Sequence, residues 1–287
     1  MSEQLAFVHF PHPGGEQGPD SEDGRLKSWG TDRHDHQRKF MRMPGAWRAD
    51  TLGPTREGEI VFWGEWEAAS MVEPVAERVA GGPYWLHRPF YNGIDDAPRE
   101  GIRQNTDPFV FGDRFLYTYC RQPSNQKLRR LARGSLILFG STYKRRFVLD
   151  TCFVVHERVP HAPHDYRDTA VPRVPQVFRE TTLDPMYQQM GTSCSLYLGA
   201  TPENPAANGT FSFVPCLPAA ERRTFARPTI DLERPLIKIG RTQQAGTIPY
   251  DDPAQLRVLW ERVVAQVLES CALGVRVAVP PAAPATH

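Results

Sequence analysis

The fold of this chain is decided by residues 105–155, which read NTDPFVFGDRFLYTYCRQPSNQKLRRLARGSLILFGSTYKRRFVLDTCFVV. Residues 114–120 alternate between two faces, which is typical of a strand. Residues 135–139 are apolar on both faces and predict a central, buried strand. A polar turn over 140–146 then leads into another apolar strand over 147–155. The stretch therefore predicts a sheet whose middle is a hairpin.

The whole chain has 287 residues, an apolar fraction of 40% and a formal net charge of +1. This composition supports a substantial core and shows no global bias towards acidic or basic partners. Strand patterns outnumber helical ones, so the predicted class is α+β, with a barrel-like, mostly antiparallel sheet, a packed C-terminal helix and long loops. We expect a single domain over residues 1–275 and a disordered tail over 276–287.

The clearest helical pattern lies near the C-terminus. Asp252 stands at the N-cap and Pro253 at the first helical position, where its missing N–H costs nothing. An apolar stripe with spacings of three and four follows, and Gly274 is placed at the end of the helix. The stripe predicts that Trp260 and Val264 are buried against the sheet.

The five cysteines lie far apart and none forms a C-x-x-C pair. This spacing favours reduced, buried thiols in a cytoplasmic protein over a zinc ribbon. The first ten residues lack the features of a signal peptide, and no apolar run is long enough to span a bilayer, so no membrane partner is expected. The sequence has no P-loop and no G-x-G-x-x-G after a strand, and it assigns no cofactor.

Aromatic side chains near amide and carboxylate groups indicate a pocket for a flat ligand, because rings stack on bases and polar groups read base edges. Residues 59–66, EIVFWGEW, and residues 105–122 are predicted to face each other across one cleft. The structural alternative is that the rings fill the core and the polar residues close turns. The candidate ligand-binding residues are Trp63, Trp66, Trp85, Asn105, Asp107, Tyr117 and Gln122.

Basic residues crowd the region 121–147, which contains no acid. They form either a solvated surface or a rim that faces phosphate. The candidate phosphate-binding residues are Arg121, Arg129, Arg130, Lys144, Arg145 and Arg146.

An enzyme is the main alternative to a binding protein, because carboxylates can supply acid–base or metal chemistry on a nucleotide and histidines can add ligands. The carboxylates considered are Glu65, Glu67, Asp107, Asp113 and Asp150. No metal ligand is assigned, because no histidine pair forms H-E-x-x-H on a helix. A metal site remains open as an alternative, and its candidate ligands are His9, His12, His34, Asp35 and His36.

Residues 128–155 resemble the PUA-like superfamily, including its EVE, ASCH and YTH modules, over about a tenth of the chain. In these modules a short basic helix, which Ser124 would cap here, leads through a glycine turn into a strand, a hairpin and a second strand. The run HQRKFMRM at 36–43 is similar to another basic helix of such proteins. The resemblance implies a small β-barrel that holds a nucleobase, often a modified one, in an aromatic-walled pocket. The matching residues are Leu128, Leu131, Gly134, Ile137, Leu138, Phe139, Ser141, Phe147, Val154 and Val155.

The predicted function is therefore a nucleotide- or nucleic-acid-binding protein that reads a base, including a modified base, in an aromatic pocket. One alternative is a nucleotide-processing hydrolase or transferase that depends on carboxylates or on a histidine-bound metal. Another is a structural or protein-interaction module whose aromatic residues form a surface for a partner.

Overall fold

A computed structural model of the chain describes residues 2–22, 24–30, 36–97, 104–221, 225–233, 236–238 and 245–283. These residues form a mixed α+β fold with two β-sheets and few helices. The strands are β1 (Ala6–His12), β2 (Leu26–Lys27), β3 (Arg38–Arg48), β4 (Arg56–Glu65), β5 (Ser70–Pro74), β6 (Trp85–Pro89), β7 (Leu116–Tyr117), β8 (Leu136–Tyr143), β9 (Arg146–His161), β10 (Cys194–Gly199), β11 (Val214–Pro218), β12 (Gly246–Pro249) and β13 (Ala272–Val277). The α-helices are α1 (Tyr166–Thr169), α2 (Gln176–Phe178), α3 (Asp184–Gln189) and α4 (Pro253–Leu268), and a π-helical turn (Arg179–Leu183) joins α2 to α3.

Both sheets are mostly antiparallel. The six-stranded sheet has the order β12-β1-β8-β9-β10-β7, and the seven-stranded sheet has the order β13-β11-β4-β3-β6-β5-β2. Only the pairings of β1 with β8 and of β3 with β6 are parallel among the described strands. Because β13 also pairs with β3, strands β3, β4, β11 and β13 bond in a closed cycle. The α+β class is confirmed, whereas a barrel-like sheet stays a prediction.

The buried side chains form two hydrophobic clusters, and β4 contributes to both. Phe62 and Trp66 belong to the first core. Trp63 belongs to the second core, together with Trp260 of α4. This division follows from the period of two in a strand, which sends alternate side chains to opposite faces.

The hairpin predicted from 135–155 is present as β8 and β9. Ile137 packs in the first core and Leu138 in the second, which confirms a central strand buried on both faces. The predicted turn over 140–146 is too long, because β8 continues to Tyr143. Only Lys144 and Arg145 turn the chain, with φ angles of 47° and 62°.

Two short elements differ from their predictions. The helix at Gln126–Arg130 is a 3₁₀ helix, and Asn125 rather than Ser124 caps it by accepting the Lys127 N–H at 3.1 Å. Residues 38–43 belong to β3, so the similarity of 36–43 to a basic helix is wrong. Pairing along ten successive residues of β4 holds this segment extended.

The C-terminal helix is confirmed as α4. The Asp252 side chain accepts the Ala254 N–H at 2.8 Å, which satisfies one of the donors that a helix N-terminus leaves free. Trp260 and Val264 are both buried, as the apolar stripe predicts. The placement of Gly274 is wrong, because α4 ends at Leu268 and Gly274 lies inside β13.

Strand β13 extends into the segment that the sequence assigns to a disordered tail, since it includes Arg276 and Val277. Beyond it, the Tyr91 N–H donates to the Pro281 carbonyl at 2.8 Å. Residues 284–287 lie outside the described residues. In the described part of the chain, no helix is long and apolar enough to cross a membrane.

Candidate functional site

A cluster of charged side chains lies where β3 begins and β4 ends. The two strands are antiparallel, and Arg38 lies opposite Glu65. His36 and Glu67 lie just beyond the paired residues, and the Trp66 N–H donates to the Gln37 carbonyl at 3.1 Å. The side chains of all four residues meet beside these two strand ends.

The three potential metal ligands of this cluster are in contact with one another. His36 Nδ1 lies 3.0 Å from Glu65 Oε1 and 2.9 Å from Glu67 Oε1. The ligand atoms of these three residues all lie within 4.8 Å of one another. Arg38 Nη2 lies 2.7 Å from Glu65 Oε2, so a guanidinium flanks one side of the cluster. Both glutamates are buried.

Neighbouring backbone and side-chain groups hold Glu67 in place. The Gln37 N–H donates to Glu67 Oε1 at 3.1 Å, and the Glu67 N–H donates to Thr106 Oγ1 at 3.1 Å. A Cβ at Gly30 would lie 2.2 Å from Glu67 Oε2, so only glycine leaves room for the carboxylate there. The position of Glu67 is therefore set by three separate segments.

The charges of the cluster shift the protonation of its members. Burial lowers the pKa of His36, but the charges and hydrogen bonds of Glu65 and Glu67 outweigh burial and raise it to about 10. Burial raises the pKa of Glu65, but the positive charges of His36 and Arg38 lower it to about 2. Burial raises the pKa of Glu67. These pKa shifts favour an imidazolium at His36 beside a carboxylate at Glu65.

The cluster opens into a cleft of about 450 Å³, which we call the first cleft. His12 of β1, in the six-stranded sheet, faces His36 and Arg38 across it. Gln104 and Asn105 complete this part of the wall. The first cleft thus lies between the two sheets, and its volume is within the range of small-molecule sites.

Three residues that line the first cleft carry a buried polar atom with no hydrogen-bond partner among the described residues. These atoms are His12 Nε2, Gln104 Nε2 and Asn105 Nδ2. An unpaired buried polar group typically costs about 1–3 kcal/mol. Their convergence on one cleft indicates a site built for a polar ligand or a cation.

Asp107 lies behind the part of the first cleft's wall that Tyr119 and Cys120 form. Its carboxylate accepts the N–H groups of Thr118 at 3.0 Å, Tyr119 at 2.7 Å and Cys120 at 2.6 Å. Tyr119 and Cys120 both line the cleft. The Asp107 side chain therefore holds this turn together. This agrees with the structural alternative, in which the polar residues close turns.

The predicted aromatic pocket is wrong in its main element. Trp66 packs in the first core and donates its Nε1–H to the Ala69 carbonyl at 2.9 Å. Trp63 packs in the second core, with its ring 4.8 Å from that of Phe40. The two rings leave β4 on opposite faces and cannot wall one cleft. Trp85 is half-buried at the start of β6.

The predicted polar readers divide in the same way. Asn105 lies at the first cleft, as described above. Gln122 is fully buried and exchanges two hydrogen bonds of 2.8 Å with the backbone of Ser195, so it extends the sheet instead of reading a ligand. Tyr117 is buried and donates to the Cys120 carbonyl at 2.7 Å.

The predicted phosphate-binding residues lie at three places. Arg121 lines the first cleft. Arg129 and Arg130 line a different cavity beside β9 and β10. Lys144, Arg145 and Arg146 form the turn between β8 and β9 and the start of β9.

The histidines and acids named from the sequence are likewise separated. His9 packs against Phe147 at 4.6 Å, and burial lowers its pKa to about 4. Asp150 pairs with Arg227 at 3.1 Å, and Asp113 is exposed. His34 and Asp35 lie outside the described residues.

The sequence predicts His36, Glu65 and Glu67 as separate candidates, but it does not predict that they form one cluster. A signal for it exists in the sequence, since H-x-R at 36–38 and E-x-E at 65–67 both repeat charge with the period of a strand. Recognising the set required knowing that these two strand ends are paired.

No protein-family model, curated protein or solved structure matches this chain.

Proposed function

We propose that this protein is a divalent-metal-dependent enzyme that acts on a phosphate ester of a nucleotide or nucleic acid. The observation that carries the proposal is the triad of His36 Nδ1, Glu65 and Glu67, of which His36 lines the first cleft and the two glutamates are buried behind it. One imidazole and two carboxylates are a donor set that suits Mn²⁺, Fe²⁺, Zn²⁺ or Mg²⁺. Three protein ligands leave coordination positions open for water and substrate.

A cation held there would supply Lewis-acid polarisation of a phosphoryl oxygen and a water of lowered pKa. The neighbouring side chains fit supporting roles. His12 is neutral, because burial and Arg38 lower its pKa, and its Nε2 is placed to accept a proton. The amide groups of Gln104 and Asn105 can donate to substrate oxygens.

The substrate class is supported by the cations at the first cleft. Arg38 and Arg121 both line it, and Arg121 begins the acid-free basic region of the chain. A second candidate function, a nucleotide- or nucleic-acid-binding protein without catalysis, is favoured by the same basic residues. The resemblance to PUA-like modules belongs with this second candidate and stays a prediction.

The metal site is tested by calorimetric titration with Mn²⁺. Glu67→Gln keeps the shape of the side chain but removes its charge, so we expect Mn²⁺ affinity to fall at least about tenfold. Glu203→Gln, at a side chain 68% exposed, is the matched control and should bind like the native protein. Equal Mn²⁺ affinity in the native protein and in Glu67→Gln would overturn the metal site.

Catalysis is tested by incubating the protein with nucleoside triphosphates and with oligonucleotides and analysing the products by mass spectrometry. Products that require Mn²⁺ and disappear with EDTA and in Glu67→Gln support the enzyme. Binding of the same compounds without any product supports the second candidate instead.

A further inference from the structure

A second cleft of about 640 Å³ lies on the other side of the chain segment that borders the first. Its mouth carries two exposed aromatic rings, Tyr84 at 59% and Tyr143 at 40% exposure. Each ring has a cation over its face. Arg78 Cζ lies 4.1 Å from the Tyr84 centroid, and Lys144 Nζ lies 5.3 Å from that of Tyr143. Exposed rings paired with cations form a surface on which flat, anionic molecules stack.

The inner wall of the second cleft carries Arg227, whose side chain is 8% exposed. Its Cζ lies 4.0 Å above the Trp63 ring, and it donates to Ser141 Oγ, to Asp150 at 3.1 Å and to the Gly14 carbonyl at 3.4 Å. These acceptors fix the guanidinium at the base of the cleft, and the Asp150 carboxylate balances its charge.

The wall of the second cleft also contains an acidic side chain, Glu16, which lies in the segment between the two clefts and is held by backbone N–H groups. Glu16 accepts the N–H groups of Tyr84 and Trp85, each at 2.9 Å. The cations at the mouth of the second cleft are Arg78 and Lys144, beside the two rings, whereas Arg227 at its base is paired with Asp150.

The two clefts are neighbours. Pro13 lines the first cleft and the adjacent Gly14 lines the second. Trp63 at the second cleft and Glu65 at the metal cluster lie two residues apart on the same face of β4, which corresponds to about 7 Å. A small cavity lined by both of these residues lies between the clefts. One extended molecule can thus reach both clefts across a single stretch of backbone.

We propose that the second cleft is a docking subsite for single-stranded nucleic acid, with the same strand passing over Pro13 and Gly14 to place a phosphate in the first cleft. The proposal rests on the proposed function and makes its substrate a strand. Tyr84 and Tyr143 stack on unpaired bases, and Arg78 and Lys144 face the phosphates. A duplex hides the base faces that this surface recognises, so the single strand is the preferred form.

The test is fluorescence anisotropy with a labelled oligothymidylate of about 12 nucleotides, in EDTA, so that it does not depend on the metal site. We expect Tyr84→Ala and Tyr143→Ala each to weaken binding about tenfold. Tyr84→Phe keeps the ring and should bind within about twofold of the native protein. Arg257→Ala, at an exposed cation of α4, is the control for general charge loss. Thermal melting establishes that each variant folds.

Three results would overturn the proposal: unchanged affinity in both alanine variants of a folded protein, an equal loss in Tyr84→Phe and Tyr84→Ala, or equal competition by duplex of the same sequence. Failure here is distinguishable from failure of the metal site, because Mn²⁺ titration of Tyr84→Ala should match that of the native protein.

Discussion

Lys39 is a completely buried lysine on β3, next in sequence to Arg38 of the charged cluster. Its Nζ donates to Gln37 Oε1 at 2.8 Å. Burial lowers the pKa of this lysine from 10.5 to about 7, although the negative charge of Glu67 works in the opposite direction. The ammonium form is therefore disfavoured in the folded protein relative to the unfolded chain.

Lys39→Met should consequently remove a pH dependence of stability. Between pH 7 and 10.5 the unfolded chain keeps the lysine proton that the folded protein has lost, so native stability rises with pH, by at most about 1.4 kcal/mol per pH unit. We expect Lys39→Met to be more stable than the native protein at pH 7 and to lose this rise. Urea unfolding at pH 7 and pH 9 measures both effects, with the exposed Lys127→Met as control. An unaltered slope in Lys39→Met would contradict the assignment.

Asp107 holds three backbone donors, and this predicts a large effect on stability. Asp107→Ala leaves the N–H groups of Thr118, Tyr119 and Cys120 without their acceptor and should cost about 2–4 kcal/mol. Asp113→Ala, at an exposed position in the same region, should change stability by less than about 0.5 kcal/mol. Denaturant midpoints for the two variants decide between an anchor and an ordinary turn residue.

At the level of elements, α4 is the clearest test of packing. Trp260 is 4% exposed and donates its Nε1–H to the Phe211 carbonyl at 2.9 Å. Trp260→Ala should cost about 3–5 kcal/mol, as other large-to-small core substitutions do. Val258 lies on the outer face of the same helix and is 55% exposed, so Val258→Ala should cost less than about 0.5 kcal/mol. Similar midpoints for the two variants would show that α4 does not pack as described.

The β8–β9 turn predicts a conflict between stability and binding. Lys144 and Arg145 both have positive φ angles, which asparagine and glycine adopt more readily. Replacing them together by Asn and Gly should stabilise the protein by about 1 kcal/mol while weakening oligonucleotide binding through the loss of two cations. Chemical denaturation and anisotropy on one preparation measure both effects. Stabilisation without any loss of binding would remove the turn from the docking surface.

The elements predicted correctly are those whose signal is local. The hairpin at 135–155 and the cap and stripe of α4 follow from alternation, periodicity and capping within a short window. The sequence predicts a polar turn over 140–146, which is longer than the turn at Lys144 and Arg145, because polar residues alone do not mark where a strand ends. Residues 36–43 resemble a basic helix in sequence, because their basic residues interrupt the alternation of polar and apolar side chains that is typical of a strand such as β3.

At the scale of the whole molecule, the first cleft joins the two sheets, with His12 on one side and His36 on the other. In the proposed complexes, Mn²⁺ alone would contact only the seven-stranded side, whereas a bound oligonucleotide would contact both sheets. In hydrogen exchange we expect Mn²⁺ to protect the amides near His36 and Glu67, and an oligonucleotide to protect β1 as well. Protection of β1 by Mn²⁺ alone would contradict the assignment of its ligands.

The site is less predictable than the fold because it depends on pairing between distant segments. His36 and Glu67 lie 31 positions apart in the sequence and meet because the pairing of β3 with β4 brings the adjoining chain ends together. Trp63 and Trp66 look like one aromatic group in the sequence, yet the alternation of a single strand places them in two cores. Asn105 lies at the candidate cleft, whereas Gln122 hydrogen-bonds to the backbone of Ser195 in β10.

The structural roles of the run WGEWE at residues 63–67 predict how strongly evolution should retain it. Trp63 and Trp66 each fill a different core, Glu65 and Glu67 complete the charged cluster, and a side chain at Gly64 would lie 2.8 Å from the end of Met41. Neighbouring positions therefore have unrelated structural roles, so a substitution at one of them does not compensate for a substitution at another. We expect descendants of a common ancestor to retain this pentapeptide, with H-x-R upstream, long after the rest of the sequence has diverged beyond detection.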